Sequence, residues 1–312
     1  MKDALNPTFL KTVVTLIGLT LTMSCFVVRR RKGCDGRWVA KSGSTRRYVE
    51  TFFLKYGAFW ILCFGLIVGL QWYLWFDKIH YIVVCVGLAL PLLLQPLLAP
   101  GLTGDVRDKV PLWSRFSFKA NIWIAIFSFI GNYWYTHYFY SVLKAQYTFP
   151  SWDFNGVPIA MFFATHFYFT FYHALSNMVI RKVLTSYEYT HSRTMFLISV
   201  VVLMSYITAY METLTISGFT CYTFQDRSMV YALGSAFYGI YFIVSFPMFY
   251  RLDSKTSLFQ CAMESLATGM MVLLLLDFVR VFVVGEDLTI RLLRPCKSDS
   301  SLTCAPFTGQ YC

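Results

Sequence analysis

The sequence predicts an all-α fold, a polytopic transmembrane helix bundle. Three observations carry that prediction. Apolar residues make up 57% of the 312-residue chain and charged residues only 14%, against roughly half and a quarter in average soluble chains. The apolar residues come in long blocks, each about as long as the ~20 residues that carry a helix across hydrocarbon. The blocks do not alternate polar with apolar, as the ~10-residue strands of a membrane barrel do.

The first block, about 8–28, is followed by Arg29, Arg30, Arg31 and Lys32. A secretory signal carries its charge before the apolar run, so this block reads as an uncleaved helix with its N-terminus outside. A seven-helix core follows, roughly at 52–74, 79–99, 120–144, 158–180, 195–217, 229–250 and 261–284. Pro91 and Pro96 should bend the third span or end it early, and Pro247 should kink the seventh, because proline removes an intrahelical hydrogen bond. Gly65 and Gly69, in GLIVG, have the small-xxx-small spacing of one more helix contact.

Basic residues set the orientation. The 29–51 loop adds Arg37, Lys41, Arg46 and Arg47 to the cluster, and alternate loops carry Arg107, Lys109 and Arg115, then Arg181, Lys182 and Arg193, then Arg251 and Lys255. This alternation agrees with eight spans whose basic loops are cytoplasmic and whose termini face the lumen. It also accounts for the net charge of +11 without nucleic acid. Three regions result: an N-terminal extension at 1–45, the core at 46–285 and a Cys-containing tail at 286–312. Of nine cysteines, Cys63, Cys85 and Cys261 fall in apolar blocks as packing residues, Cys25 ends the first block and Cys34 is in a cytoplasmic loop. Cys221, Cys296, Cys304 and Cys312 fall on the oxidising side, where disulfides are allowed.

Polar groups inside the blocks demand an explanation, because charge at the bilayer centre costs several kcal/mol. They are His137, His166, His173, Glu212, Asp277 and Arg280, with Asn132 and Asn177. His166, Thr170, His173 and Asn177 recur on one helical face, as do Thr208, Glu212 and Thr215; both stripes should look into the bundle. At about 1.5 Å per residue, His137, Glu212, Asp277 and His166 fall in one layer, about 7, 9, 6 and 3 Å to the lumenal side of their span centres. A shared pocket is the simplest arrangement. A lone intramembrane His or Asn is more often a helix–helix hydrogen bond than a catalyst, and Asp277 with Arg280 one turn on reads as a structural ion pair. Glu212 differs: it has no basic neighbour within a turn, and a carboxyl group in apolar surroundings keeps its proton more readily. That makes it a proton donor.

No metal or cofactor is specified. Five histidines in all, scattered along the chain, do not form di-iron boxes; haem between two facing histidines is a weak alternative. No Gly-rich phosphate loop, nucleophile elbow or HExxH is present.

Several stretches carry a resemblance. They are KANIWIAIFSFIGNYWYTHYFYSVLKAQYTFPSW from Lys119, FFATHFYFTFYHALSN from Phe162, AYMETLTISGF from Ala209, YTFQDRSMVYALGSAFYGIYFIVSFPMFYRLD from Tyr222 and, more weakly, LLLLDFVRVF from Leu273. The sequence resembles the cycloeucalenol cycloisomerase family, the cyclopropyl sterol isomerases of plant-type sterol synthesis. The resemblance covers roughly Arg46 to Gly285 and is strongest from Lys119 to Asp253; residues 1–45 and the tail after Gly285 look like additions. It implies an enzyme that opens the 9β,19-cyclopropane of a 4α-methyl sterol such as cycloeucalenol to a Δ8 sterol of the obtusifoliol type, with no cofactor. It implies a sterol substrate, contact with membrane lipid and the endoplasmic reticulum membrane, and specifies no oligomeric state.

The reaction needs an acid for the carbon that becomes the C19 methyl, a stabilised C9 cation and a base for the C8 proton. Glu212 is the first choice as acid. His137 and His166 are candidates for tuning it or taking the C8 proton, and Asp226, in the QDRS loop, is a second acid. Glu212 could also serve both steps. Aromatic faces stabilise cations, which makes Tyr133, Trp134, Tyr138, Tyr168, Tyr172 and Tyr210 candidates, with His173 and Asn177 beside them on the polar stripe. Asn132 is a candidate anchor for the sterol 3-hydroxyl, since one polar contact suits an otherwise apolar ligand. A sterol double-bond isomerase using the same acid–base logic, a non-catalytic sterol binder and a haem-binding electron carrier are the alternatives.

Overall fold

Each of the eight apolar blocks becomes a helical rod. The computed structural model describes residues 7–33, 36–104, 110–217, 220–224 and 234–284. In chain order the helices are α1 (Pro7–Thr22), α2 (Thr45–Gly69), α3 (Lys78–Leu98), α4 (Phe116–Ile130), α5 (Thr136–Leu143), α6 (Ile159–Ser186), α7 (His191–Ser217), α8 (Ser235–Arg251) and α9 (Leu258–Val279). Three π-helical turns interrupt or extend them: Met23–Val27 after α1, Gly131–Tyr135 joining α4 to α5, and Arg280–Val284 after α9.

Local chemistry sets the starts. Ser44 accepts from the Arg47 amide to cap α2, and Asp77 accepts from the Ile79 and His80 amides, both at 2.9 Å, to cap α3. Ser257 does the same for α9 through Gln260 at 3.0 Å. Such caps satisfy donors that a helix leaves orphaned. The prolines act later than expected. α3 runs through Pro91 and ends two residues after Pro96, where the Arg115 guanidinium donates to the Pro96 carbonyl. α8 runs through Pro247 to Arg251.

Among the described residues, five helical stretches are long and apolar enough to cross a membrane: Leu10–Val27, Thr45–Gly69, Lys78–Leu98, His191–Thr215 and Leu258–Phe282. The exterior is compatible with lipid, since Leu62, Val83, Leu266 and Leu274 all point outward. The interior holds the polar groups, among them Asn121, Asn132, Thr170, His173 and Asn177. That inversion is what a bundle in hydrocarbon needs, because unsatisfied polar groups cannot face lipid tails.

α6 is the central helix and packs against α2, α3, α4, α7 and α8. α1 lies on α7, with Thr20 bonded to Ser199 at 2.8 Å. α9 closes on α4, where Gly269 lets the backbones approach. A Cβ there would sit 2.7 Å from Ile130, and the Gly269 carbonyl accepts from Tyr135 at 2.6 Å. The GLIVG motif makes no such contact: a Cβ on Gly65 or Gly69 meets nothing within 4 Å. That expectation is corrected: among the described residues no helix packs on these two glycines.

The two ends of the bundle differ. At one end basic side chains tie loops to helices. Lys119 Nζ donates to the Ser254 and Thr256 carbonyls at 2.6 and 2.9 Å, and Arg181 Nη1 to the Trp38 carbonyl at 2.9 Å. At the other end are two small ribbons. β1 (Ala145–Tyr147) pairs antiparallel with β4 (Tyr222–Phe224), setting Tyr147 opposite Tyr222. β2 (Asp153–Phe154) pairs with β3 (Val157–Pro158) across Asn155-Gly156, both in the left-handed region at φ 54° and 68°. An Asn-Gly pair with positive φ is what a two-residue hairpin requires. Cys221 is a free thiol 3.2 Å from the Tyr81 hydroxyl. Cys34, Asp226, Cys296, Cys304 and Cys312 lie outside the described residues.

Candidate active site

A cavity opens beneath the β1–β4 ribbon, with about 800 Å³ of space between its walls, open solvent included. Its walls come from five places. The α4–α5 junction supplies Gly131, Asn132 and Thr136, α6 supplies Met161, Thr165 and Phe169, and α7 supplies Glu212 and Thr213. α8 supplies Phe237, Tyr238 and Tyr241, and the ribbon supplies Tyr147 and Tyr222. The junction contributes a broad face because its turn is π-helical: Gly131, Asn132, Tyr135 and Thr136 are all buried. π-turns recur at functional sites for this reason.

Glu212 lines this cavity. The Tyr238 hydroxyl lies 3.1 Å from one carboxyl oxygen and 3.0 Å from the other, and the Tyr172 hydroxyl also bonds this carboxyl. Both rings are fixed by aromatic neighbours. Tyr238 packs on Tyr241 at 4.6 Å and Phe242 at 5.2 Å, and Tyr172 stacks on Tyr168 at 6.2 Å. Among the described residues of the cavity wall, Glu212 is the one carboxyl group, and no lysine, arginine or histidine joins it. Burial pushes the hydroxyls of Tyr147 and Tyr222 up, so both stay neutral. Across the cavity, Asn132 Nδ2 donates to the Ser128 carbonyl at 2.9 Å and to the Thr165 hydroxyl. With both amide hydrogens committed, the side-chain oxygen remains as an acceptor. The arrangement is a carboxylic acid held by neutral hydroxyls in an aromatic chamber, which can move a proton and shelter a cation.

The structure does not assemble the shared layer of four ionisable groups expected from depth. His137 Nε2 is 3.0 Å from Asn155 Nδ2, and Asn155 also donates to the Tyr133 carbonyl at 2.8 Å. His137 thus anchors the Asn-Gly hairpin and is not part of the cavity wall. His166 faces inward but bonds Asn121 at 3.0 Å. His173 donates from Nδ1 to the Phe169 carbonyl at 2.7 Å and bonds Ser245 at 2.9 Å. Asn177 donates to Glu50 at 3.0 Å. The bonds of His166 to Asn121, His173 to Ser245 and Asn177 to Glu50 run between helices, and none of these three residues of α6 lines the cavity.

The aromatic candidates divide the same way. Tyr133 stacks on Phe129 at 5.7 Å, Trp134 is 45% exposed, and Tyr210 packs with Tyr206 against Val13 and Leu16 of α1. Tyr168 packs edge-on to Trp60 at 4.6 Å, behind Tyr172. Tyr138 donates to Asp277 at 3.3 Å, and Asp277 holds Arg280 at 2.6 Å, so those three form a cluster of their own. Glu212, Tyr172 and Asn132 are the candidates that belong to the cavity and its acid. Sequence reading missed Tyr238, Tyr241, Thr165 and the ribbon tyrosines. The inward pairs Phe237–Tyr241 and Tyr238–Phe242, at i and i+4, were the available signal for α8.

No family model and no solved structure matches the chain. A protein of Arabidopsis thaliana named cycloeucalenol cycloisomerase is 41% identical over 254 residues, 79% of this chain and 89% of the relative. The chain belongs to the cycloeucalenol cycloisomerase family. It is therefore an isomerase, and the family resemblance read from the sequence is supported by a match over 79% of the chain. Within this family's chemistry the placement of His137 makes a testable difference. His137→Gln is expected to leave isomerase turnover within about twofold of wild type, the scale of ~0.5 kcal/mol for changes outside a site; steady-state rates in membranes would check it.

Proposed function

We propose that the protein opens the 9β,19-cyclopropane of a cycloeucalenol-type sterol to a Δ8 sterol, with Glu212 as the acid. The observation that carries this reading is the Glu212 carboxyl, bonded among the described residues by the Tyr238 and Tyr172 hydroxyls and set in a wall rich in aromatic rings.

In this scheme the neutral Glu212 carboxyl gives its proton to C19. The electrons of the C9–C19 bond form the new C–H bond, which leaves the cation at C9. The C8–H electrons then form the C8–C9 double bond. With no second base among the described wall residues, the Glu212 carboxylate takes the C8 proton itself and is ready for another turnover. The rings of Tyr238, Tyr241, Phe169 and Phe237 stabilise the cation, by ~0.5–2 kcal/mol for each face that meets it. The Asn132 oxygen accepts the sterol 3-hydroxyl. Asp226 stays a reserve acid, in a more polar loop. A bound sterol would displace water from beneath the β1–β4 ribbon, and a dry site favours protonation of a hydrocarbon.

We place the site in the endoplasmic reticulum membrane, with the basic end cytoplasmic by the positive-inside pattern and the ribbon end lumenal. Residues 46–285 form the isomerase core, and 1–45 and 286–312 are accessory. The test is direct: membranes of yeast expressing the chain are given cycloeucalenol, and the sterols are separated and identified by mass spectrometry. A product of unchanged mass and shifted retention is expected. Unchanged substrate beside folded protein would reject the reading.

A further inference from the structure

We infer that Tyr238 is the positioning residue of the Glu212 acid, its hydroxyl aiming the carboxyl proton at the substrate and holding the carboxylate once that proton has left. The inference rests on the acid role proposed for Glu212 and goes beyond it to the group that makes the acid work.

The geometry is specific. One hydroxyl lies nearly equidistant from both carboxyl oxygens, at 3.1 and 3.0 Å. That hydroxyl occupies the side of the carboxyl group that faces α8. Tyr172 meets the carboxyl group from α6, and the group also lines the cavity, whose described wall residues offer it no cation. When the proton leaves, negative charge spreads over the two oxygens that Tyr238 already faces. A hydrogen bond to a charged acceptor is stronger than one to a neutral acceptor, so the contact tightens as the reaction proceeds. An interaction stronger in the transition state than in the ground state raises kcat without changing substrate affinity. Tyr172 supports the same carboxyl from α6, which makes the acid a junction of α6, α7 and α8.

Tyr238 is also held rigidly. Its ring packs on Tyr241 and Phe242 at 4.6 and 5.2 Å, so removing the oxygen alone leaves the ring in its place. A hydrogen bond between a phenol and a carboxyl group with no role in turnover would not link kcat to one hydroxyl in this way.

The experiment uses the full chain in reconstituted membranes. Tyr238→Phe is expected to lower kcat roughly 10- to 100-fold, the worth of one charge-assisted hydrogen bond, with KM changed by less than about threefold. Infrared difference spectra give a second readout. The carboxyl band that disappears in Glu212→Gln should move to higher wavenumber in Tyr238→Phe, because the carbonyl loses a donor. Installing 3-fluorotyrosine at 238 keeps the hydroxyl and should restore kcat. Wild-type kcat in Tyr238→Phe, or a loss of kcat matched by a lowered melting point and not restored by fluorotyrosine, overturns the inference. Running Glu212→Gln alongside separates the two ideas. If it keeps full activity, the acid assignment itself falls; if it is inactive while Tyr238→Phe turns over normally, only the positioning role falls.

Discussion

Glu212→Gln is expected to lower sterol turnover by roughly a thousandfold or more, the upper range for a positioned general acid, while the sterol still binds. Glutamine keeps the size of the side chain, and its amide oxygen can still accept from the Tyr238 hydroxyl that now lies 3.0–3.1 Å from the carboxyl group. What it lacks is an acidic proton. No other described residue of the cavity wall supplies one, since the remaining polar groups are hydroxyls and the Asn132 amide. Protonating a strained carbon–carbon bond is harder than protonating an oxygen, so water or a phenol is a poor substitute. The check is a rate assay with cycloeucalenol beside equilibrium binding of the labelled sterol. A non-catalytic sterol binder would show the same affinity in both proteins and no turnover to lose. Full turnover in Glu212→Gln would move the acid elsewhere, with Asp226 next in line.

Much of this was legible in the sequence, for physical reasons that also mark where reading fails. Hydropathy reports burial in lipid, and it located the eight rods, although α2 starts seven residues before the expected 52 and α6 runs six beyond the expected 180. Depth along a helix follows from 1.5 Å per residue, and it placed Glu212 toward the ribbon end. Azimuth is another matter. The π-helical turn at Gly131–Tyr135 adds a residue to the repeat, so faces counted on α4 do not continue on α5. His137 therefore turns to the Asn155 hairpin while Thr136 faces the cavity. His166 does face inward, as its stripe predicted, but whether an inward histidine is free or bonded depends on Asn121, 45 residues away. Tyr238 could not be singled out because the chain has 21 tyrosines and only tertiary packing decides which one meets Glu212. The Asn155-Gly156 turn is legible in its dipeptide, but not its bond to His137. Glu50 was lost because the basic cluster around it reads as loop, although α2 already begins at Thr45.

Glu50 carries the second large expectation. Glu50→Leu should destabilise the bundle by about 3–5 kcal/mol, the range for removing one partner of a buried ion pair. The carboxylate is 4% exposed and accepts from Arg46 Nε at 2.9 Å, Arg181 Nη2 at 2.6 Å and Asn177 Nδ2 at 3.0 Å. The arginines reach further, Arg46 to the Tyr250 carbonyl at 2.8 Å and Arg181 to that of Trp38 at 2.9 Å. Glu50 thus joins α2, α6, α8 and the loop before α2. Without it, two guanidinium groups face each other, both drawn to the Tyr250 ring at 4.7 and 5.9 Å, and Arg181 has no counter-charge. Arg46 is partly exposed and can turn to solvent, so most of the cost falls on Arg181. Pairing the change with Arg181→Met should therefore recover much of the loss, because two apolar side chains replace a charge pair without stranding either. Thermal melting in detergent would measure both variants. Arg181 is 12 residues beyond the cavity residue Phe169 on α6, about 18 Å along the helix. Whatever Glu50→Leu protein stays folded should therefore keep wild-type kcat. An unchanged melting point with lost turnover would mean that the cluster acts on the reaction, and that the ionic and acidic ends of α6 are coupled through it.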